Sequence, residues 1–119
     1  MPEIRNPQSD IRNPLRVLMA CDVDPVSVIG GAERIVREHS TRLAARGHQV
    51  VVLTRREDAD RPEHEVFEGV EVFRHPVRNG SAIAFVRSTI REGARAFAEI
   101  CKGWKPDVLN VHQPLAAAA

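Results

Sequence analysis

Two short apolar runs separated by an amphipathic segment constrain the fold of this chain more than any other feature. The first run is Leu15 to Ala20, and the second, Gln49 to Thr54, is β-branched and almost continuously apolar. Strands with this pattern are typical of parallel sheets, in which both faces are covered. A parallel pair needs a crossover of about a dozen residues or more, and the intervening segment is long enough to provide one. The pattern therefore predicts two parallel strands joined by a right-handed crossover.

Two amphipathic segments predict helices. From Ala32 to Arg46, apolar and small residues recur at helical spacing with charged residues opposite them, and Gly47 is placed to end the helix. The segment from Ser81 to Lys102 has the same kind of spacing. Ser81 is a candidate N-cap for this second helix and Gly103 a candidate stop.

Three further strands complete the predicted order. Glu65 to Phe67 and Val70 to Phe73 flank Glu68-Gly69, a dipeptide that can turn a hairpin, and Asp107 to Val111 follows the second helix. This order predicts an α/β fold with a Rossmann-like parallel sheet, helices on both faces and a short β-hairpin excursion.

Length and composition allow one small globular domain and exclude several functions. The chain has 119 residues, of which 43% are hydrophobic and 28% charged, values that are ordinary for a domain with a core. Its formal net charge of +1 lacks the basic excess of a general nucleic-acid binder. The chain has neither an apolar signal segment nor an apolar run long enough to cross a bilayer. We expect a cytoplasmic protein without a membrane span, and a peripheral membrane association stays open.

The first fourteen residues differ from the rest. They are polar and repeat the tetrapeptide Ile-Arg-Asn-Pro, which ends at Pro7 and again at Pro14. Because proline removes a backbone donor and biases its predecessor away from helix, we predict a flexible leader at 1–14 and a folded domain at 15–119.

The two cysteines predict no metal site and no disulfide. Cys21 and Cys101 form neither a C-x-x-C motif nor a Cys/His cluster. We therefore expect buried thiols in a reducing compartment.

The candidate ligand-binding residues follow the predicted strands. In an open parallel sheet ligands bind beyond the carboxyl ends of the strands, so the loops after Ala20, Thr54 and Val111 should meet at one crevice. Gly30 and Gly31 precede the first helix, where glycine lets a ligand approach the backbone and free N–H groups favour a phosphate. The alternative is that the pair only turns the chain into the helix.

Two arginines and a histidine complete the candidate set. Arg55 and Arg56 follow the second strand, where a dinucleotide-binding fold places an acidic residue, and G-x-G-x-x-G is absent, so NAD is disfavoured. The arginines could bind an anionic ligand or a 2′-phosphate, or be solvated surface charges. His112 follows the last strand, where it could bind a ligand, move a proton or be a structural group.

In their order and spacing, several motifs together resemble a known family, the N-terminal domain of family 4 retaining glycosyltransferases with the GT-B fold. R-G-H-x-V and P-D-V are each common in such sheets, and the resemblance depends on their combination with the G-G-A-E step. It covers roughly Leu15 to Leu115 and is found in Leu15–Met19, Gly30–Arg34, Arg46–Thr54, Gly69–Val72 and Lys105–Pro114.

This resemblance implies an enzyme with two Rossmann-like domains, in which the N-terminal domain holds the acceptor and the C-terminal domain holds the nucleotide-sugar donor. Gly30 and Gly31 match the glycine loop that approaches the donor diphosphate, and His112 matches a histidine that faces the donor sugar. Arg55 and Arg56 fall in a variable acceptor region. The implied reaction moves a sugar to an unknown acceptor with retention and needs no cofactor or metal, since the nucleotide sugar is a substrate.

One part of the family pattern is absent from the sequence. The C-terminal donor-binding domain with its E-x7-E pattern does not occur, so we expect a truncated piece that is inactive alone. Two alternatives stay open: a non-catalytic α/β module that binds a phosphate or nucleotide, and an NADP-binding half that uses Arg55 and Arg56.

Overall fold

A computed structural model describes residues 14–27, 30–56, 60–77 and 80–112, so the predicted leader lies almost wholly outside the described residues. Every predicted strand and helix is present, with ends that shift by about one or two residues. In chain order the elements are β1 (Arg16–Ala20), α1 (Gly31–Ala45), β2 (Gln49–Arg55), β3 (His64–Phe67), β4 (Val70–His75), α2 (Ala82–Gly103) and β5 (Val108–Val111).

The five strands form one sheet in the order β3-β4-β2-β1-β5. β1 lies between β2 and β5 and is parallel to both, and β2 is also parallel to β4. β3 is antiparallel to β4. The predicted parallel arrangement of β1, β2 and β5 is therefore confirmed. β4 also belongs to the parallel part of the sheet, so β3 is the one antiparallel strand among the described residues.

The turn between β3 and β4 explains the pairing of these strands. Phe67 pairs with Val70, which leaves a two-residue loop. Both loop residues lie in the left-handed region, Glu68 at a φ of 47° and Gly69 at a φ of 82°. Two consecutive positive φ values define the tight turn that matches the right-handed twist of paired strands. The hairpin predicted at this dipeptide is confirmed.

The core consists of two clusters, one on each face of the sheet. Alternate residues of a strand point to opposite faces, so an almost continuous apolar strand such as β2 supplies both clusters. The cluster under α1 includes Val17, Met19, Val36, Val50, Val52, Val70 and Val72. The cluster under α2 includes Leu18, Val51, Leu53, Phe73, Phe97, Ile100 and Trp104. The prediction of helices on both faces is therefore confirmed.

The helix ends agree with the predicted caps, with one difference in mechanism. The Ser81 hydroxyl accepts the N–H of Ala84 at 3.1 Å, and Gly47 follows α1 at a φ of 98°. Gly103, by contrast, is the last helical residue and has no positive φ. α2 ends because Trp104 is extended, and its indole N–H donates to the Gln49 side chain at 2.9 Å. Neither helix of the described ranges has the length and apolarity needed to cross a membrane.

β5 is an edge strand whose side chains are accessible on both faces. All four of its residues are exposed, including Val108 at 40%, Leu109 at 51% and Val111 at 40%. The carboxylate of Asp107 accepts the N–H of Arg16 at 2.9 Å and so helps to fix the start of β5 against β1. Within the described residues, β5 contributes backbone pairing and little apolar burial.

Candidate functional site

The carboxyl ends of β1, β2, β4 and β5 meet at one edge of the sheet because these strands are parallel. We call this the carboxyl edge. The backbone N–H of His112 donates to the carbonyl of Ala20 at 3.0 Å, and that of Arg56 donates to the carbonyl of His75 at 2.8 Å. The structure thus brings the sequence-predicted residues Gly30, Gly31, Arg55, Arg56 and His112 to this edge, as predicted from the strand order.

Neither glycine before α1 is required by the fold of the described residues. Gly30 is the N-cap, with an extended backbone at a φ of −143° and a ψ of −165°, and Gly31 is the first helical residue. A Cβ at Gly31 would meet nothing within 4 Å, and one at Gly30 would meet Glu33 Oε1 at 3.4 Å. Neither residue has a positive φ. The interpretation that these glycines only turn the chain therefore has no support in the backbone conformation.

The start of α1 offers backbone donors. Gly30 makes no side-chain cap hydrogen bond. The N–H of Arg34 donates to the carbonyl of Gly30 at 3.3 Å, which is the first hydrogen bond of the helix. The preceding N–H groups of a helix have no intrahelical acceptor and favour anions. Glu33, the acidic residue of the first turn, adds negative charge there, which opposes the attraction of the helix dipole for an anion. A phosphate would therefore depend on direct hydrogen bonds from the backbone N–H groups.

His112 combines a half-buried ring with an unused nitrogen. Its Nε2 is buried and has no hydrogen-bond partner among the described residues. Its ring centroid lies 6.3 Å from that of His39 on α1. Burial, and secondarily the neighbouring His39, lowers the pKa of His112 below its ordinary value of 6.5. The imidazole is therefore neutral at neutral pH and can still bond to a ligand through Nε2.

The two arginines after β2 are held within the protein. The Arg55 side chain is 17% exposed, with Nη1 4.0 Å from Asp22 Oδ1, and its guanidinium lies 4.9 Å from the centroid of Phe85 on α2. Arg56 donates from Nε to the carbonyl of Arg61 at 2.8 Å. Arg55 is therefore largely buried, while Arg56 is half-buried. A role of either arginine in acceptor binding stays a prediction.

A buried ion cluster beside the carboxyl edge was missed by the sequence analysis. The Arg74 side chain is 0% exposed and donates from Nε to Asp24 Oδ2 at 2.6 Å, while Nη2 lies 2.6 Å from Glu65 Oε1. Its Nη1 also donates to the carbonyl of Pro62 at 2.9 Å. Arg74 therefore ties the loop after β1 to β3, β4 and the segment before the hairpin.

The charge state of Asp24 follows from this cluster. Burial by itself would raise the pKa of Asp24, but hydrogen bonds from Arg74 and from the N–H of Val26 outweigh it, and the pKa is lowered from 3.8. The Val26 N–H donates to Asp24 Oδ1 at 2.9 Å. Asp24 is thus an ionised carboxylate that shapes the loop leading to the glycine pair.

Hydrogen bonds from buried side chains hold the start of the loop after β1. The hydroxyl of Thr54 and the thiol of Cys21 both donate to the carbonyl of Val23, at 3.1 and 3.2 Å. Burial raises the pKa of Cys21 to about 12, so this thiol is protonated at neutral pH. Both cysteines are free, but Cys101 is half-buried, so the expectation of a buried thiol is wrong for Cys101. Within the described ranges, no group of three or more His, Cys, Asp or Glu could hold a metal ion.

Comparisons with known proteins point to one family. Residues 29–119 match the family model described as Glycosyltransferase Family 4. Two relatives, the glycogen synthases of Mycobacterium tuberculosis strains CDC 1551 / Oshkosh and ATCC 25618 / H37Rv, are each 36% identical over 119 residues. The alignments cover 87% of this chain and 29% of each relative.

The fold is also similar to that of a larger protein. The solved structure of sucrose-phosphate synthase from Thermosynechococcus elongatus superimposes with a TM-score of 0.71 at 19% identity. The superposition covers 85% of this chain and 28% of the synthase. The chain therefore spans well under half of the length of these proteins.

Proposed function

Because the chain belongs to glycosyltransferase family 4, we propose that it forms the acceptor-side part of an enzyme that transfers a sugar from a nucleotide sugar with retention. One observation carries this proposal, namely that Gly30 and Gly31 lie at the start of a helix at the carboxyl edge, although neither has a positive φ and a Cβ at either position would meet no closer than 3.4 Å among the described residues. A glycine at the start of a helix lets a ligand approach the backbone N–H groups closely.

The reaction requires little proton chemistry from the protein. The bond from the anomeric carbon to the donor phosphate breaks, and a bond from that carbon to an acceptor oxygen forms on the same face of the sugar. The proton of the acceptor hydroxyl leaves with the nucleoside diphosphate. Backbone N–H groups at Gly30 and Gly31, with the positive end of α1, stabilise the charge that develops on the diphosphate.

His112 binds the donor sugar in this proposal. Its Nε2 is buried, unused within the described residues and neutral at neutral pH, which suits a hydrogen bond to a sugar hydroxyl. Retention places the entering and leaving oxygens on one face, so a base on the opposite face is not needed. His112 is therefore a donor-positioning residue, and Arg55 and Arg56 belong to the acceptor side.

The remaining expectations concern partners. The nucleotide sugar and an unidentified acceptor are the small-molecule partners, and a second domain binds the nucleoside. The nucleotide sugar is consumed as a substrate, so no separate cofactor or metal enters the reaction. We place the enzyme in the cytoplasm, without nucleic acid as a partner.

Donor hydrolysis tests this function without knowledge of the acceptor. The full-length protein is incubated with a panel of nucleotide sugars that differ in base and sugar, and release of the nucleoside diphosphate is followed. Nuclear magnetic resonance then gives the anomeric configuration of the first product. Release from one donor with retained configuration supports the proposal. Inversion, or binding of NADP without release from any donor, contradicts it and favours one of the alternative α/β modules.

The 119 residues by themselves are expected to transfer no sugar and to bind nucleotide sugars weakly. The chain spans 29% of its glycogen synthase relatives, and the groups that hold the nucleoside are expected on a second domain. Isothermal titration calorimetry of the isolated chain measures this. Micromolar affinity, about 8 kcal/mol of binding free energy, would instead indicate a self-sufficient binding module.

His112→Ala in the full-length protein is expected to lower the transfer rate roughly 5- to 150-fold, because the lost polar contact is worth about 1–3 kcal/mol. The melting temperature should change little, since Nε2 makes no hydrogen bond within the described residues. His48→Ala is the matched control, because His48 precedes β2 at the opposite edge and bonds to the N–H of Leu15 at 3.0 Å. Unchanged transfer in a folded His112 variant would show that the histidine is structural.

A further inference from the structure

Two histidines face each other between α1 and the end of β5. Met19 of β1 packs in the cluster under α1, and its partner on β5 is Asn110. The N–H of His112 donates to the carbonyl of Ala20 at 3.0 Å, so the pairing of the two strands continues to this residue. Because alternate residues of a strand point to the same face, His112 lies on the α1 side of the sheet, as Asn110 does. The register of β5 on β1 therefore directs the His112 ring toward α1.

His39 lies at the border of the helix face that packs on the sheet. Val36 and Ser40, which precede and follow it on α1, are buried, whereas His39 is exposed. The side chains of a helix lean toward its N-terminus, and α1 begins at the carboxyl edge with Gly31. The packing of α1 therefore leaves the His39 ring beside that edge and accessible to a ligand.

The separation of the two rings leaves room for one atom between them. The ring centroids of His39 and His112 lie 6.3 Å apart, and the ring planes are inclined by 50°. A direct hydrogen bond between two ring nitrogens, about 2.9 Å long, would bring the centroids to within about 5 Å. An oxygen atom about 2.8 Å from a nitrogen of each ring lies about 4 Å from each centroid, and the observed separation then gives an angle of about 105° at that oxygen. This angle is close to tetrahedral, so one hydroxyl group can bond to both rings.

The surroundings of His112 suit a neutral polar group. Burial and the charge of His39 lower the pKa of His112, and no carboxylate or guanidinium of the described residues contributes to this shift. In the tautomer with its proton on Nδ1, the neutral ring can accept a hydrogen bond at the buried, unpartnered Nε2. His39 carries an N–H in either protonation state and can donate. A hydroxyl group satisfies both rings, because it donates to one and accepts from the other, whereas an ionised phosphate or carboxylate only accepts.

We propose that His39 and His112 bind the same hydroxyl group of the donor sugar, which makes His39 a specificity-determining residue. This inference rests on the proposed sugar transfer. The diphosphate is expected at Gly31, and the backbone of His39 lies about 12 Å further along the axis of α1. A sugar linked to the diphosphate can therefore reach the gap between the two rings. A site that bonds to a hydroxyl group from both sides discriminates against a sugar that lacks it, because both nitrogens then lose their partner.

Direct binding of donor analogues tests the shared hydroxyl group. The full-length protein is titrated calorimetrically with UDP-glucose, ADP-glucose and GDP-mannose, with monodeoxy analogues of the one that binds best, and with its nucleoside diphosphate alone. His39→Leu is expected to weaken binding of the nucleotide sugar about 2- to 10-fold and to leave the affinity for the nucleoside diphosphate unchanged. One monodeoxy analogue should bind to the parent protein about 10-fold or more weakly than the complete sugar does. His39→Leu should not weaken the binding of that analogue further.

Three further variants separate hydroxyl binding from a structural effect. His39→Gln keeps an N–H donor on a side chain of similar reach and should restore most of the affinity. His48→Leu removes an imidazole that bonds to the N–H of Leu15 at the opposite edge, so it should leave nucleotide-sugar binding unchanged. Because the two histidines share one hydroxyl group, His39→Leu combined with His112→Ala should lose less affinity than the product of the two single losses. Losses that multiply would contradict a shared contact.

The outcomes distinguish this inference from the proposed function. A loss of affinity that requires one hydroxyl group and is restored by His39→Gln supports the inference. Unchanged affinity in a His39→Leu variant with an intact melting curve, or a loss that includes the nucleoside diphosphate, overturns it whether or not any donor is hydrolysed. Equal binding of all monodeoxy analogues by the parent protein would show that water lies between the rings and also overturns it. Hydroxyl-dependent binding without hydrolysis of any donor overturns the proposed transfer instead, and absence of binding to every nucleotide sugar overturns both.

Discussion

Arg74→Met is expected to lower the free energy of unfolding of this domain by about 3 kcal/mol or more, because it breaks a buried ion cluster. The substitution preserves most of the volume of the side chain but leaves Asp24 and Glu65 without the guanidinium that neutralises them. It also removes the donor to the carbonyl of Pro62. Urea unfolding followed by circular dichroism measures the loss.

A matched ion pair on the surface provides the control. Arg42 lies 3.1 Å from Glu38 on α1, with side chains 78% and 52% exposed, so Arg42→Met should cost about 0.5 kcal/mol or less. If Arg74→Met does not fold, Arg74→Lys keeps a charge with fewer donors and should unfold at an intermediate urea concentration. Equal midpoints for the Arg42 and Arg74 variants would show that the buried cluster does not stabilise the fold.

The same cluster predicts a dependence on pH. Because the pKa of Asp24 is lower in the folded chain than its ordinary value of 3.8, the stabilisation by Asp24 is complete above that value. It is lost as the pH falls through the folded pKa. The parent protein should therefore lose more stability in acid than Arg74→Met does, and parallel losses would contradict this linkage.

Gly31→Val in the full-length protein is expected to reduce sugar transfer by a factor of about 10² to 10³, comparable to the loss of one charge-stabilising donor in other enzymes. The branched side chain would occupy the space in which the diphosphate approaches the backbone. Stability should change little, because a Cβ at this position meets nothing within 4 Å and the backbone is already helical. Rate and melting temperature are measured on the same preparation.

Gly103→Val is a suitable control for this variant. Gly103 ends α2 at the opposite edge of the sheet, and a Cβ there also meets nothing within 4 Å. Transfer should be unaffected by that substitution. If Gly31→Val lowered the melting temperature and the rate together, or left the rate unchanged, the glycine would be conformational, and the diphosphate assignment would be wrong.

The sheet could be predicted from the sequence because its determinants are local. β2 has apolar residues at both odd and even positions, which point to opposite faces of the sheet. In the structure, Val50 and Val52 pack in the cluster under α1, and Val51 and Leu53 pack in the cluster under α2. Strands buried on both faces, joined by amphipathic helices, have few alternative arrangements. The strand order then placed the predicted site residues at one edge.

The ion cluster and the unused histidine nitrogen could not be predicted in the same way. Arg74 alternates with Val70 and Val72 along β4 and so points to the same buried face of the sheet, which indicates a buried arginine. Its partner Asp24, however, lies fifty positions away in a loop and is defined only by tertiary packing. Similarly, the ring of His112 lies near His39 on α1, far away in the sequence, and no local pattern specifies that proximity.

The position of β1 in the sheet has a consequence for the order in which the domain can fold during synthesis. β1 is the first strand to leave the ribosome, but it lies between β2 and β5, and β5 is the last of the described strands to emerge. Until residue 111 has been released, the edge of β1 that later pairs with β5 has unpaired N–H and C=O groups. The nascent sheet of β1 to β4 is therefore prone to pair with another chain, and a pause in translation before β5 would prolong that exposure.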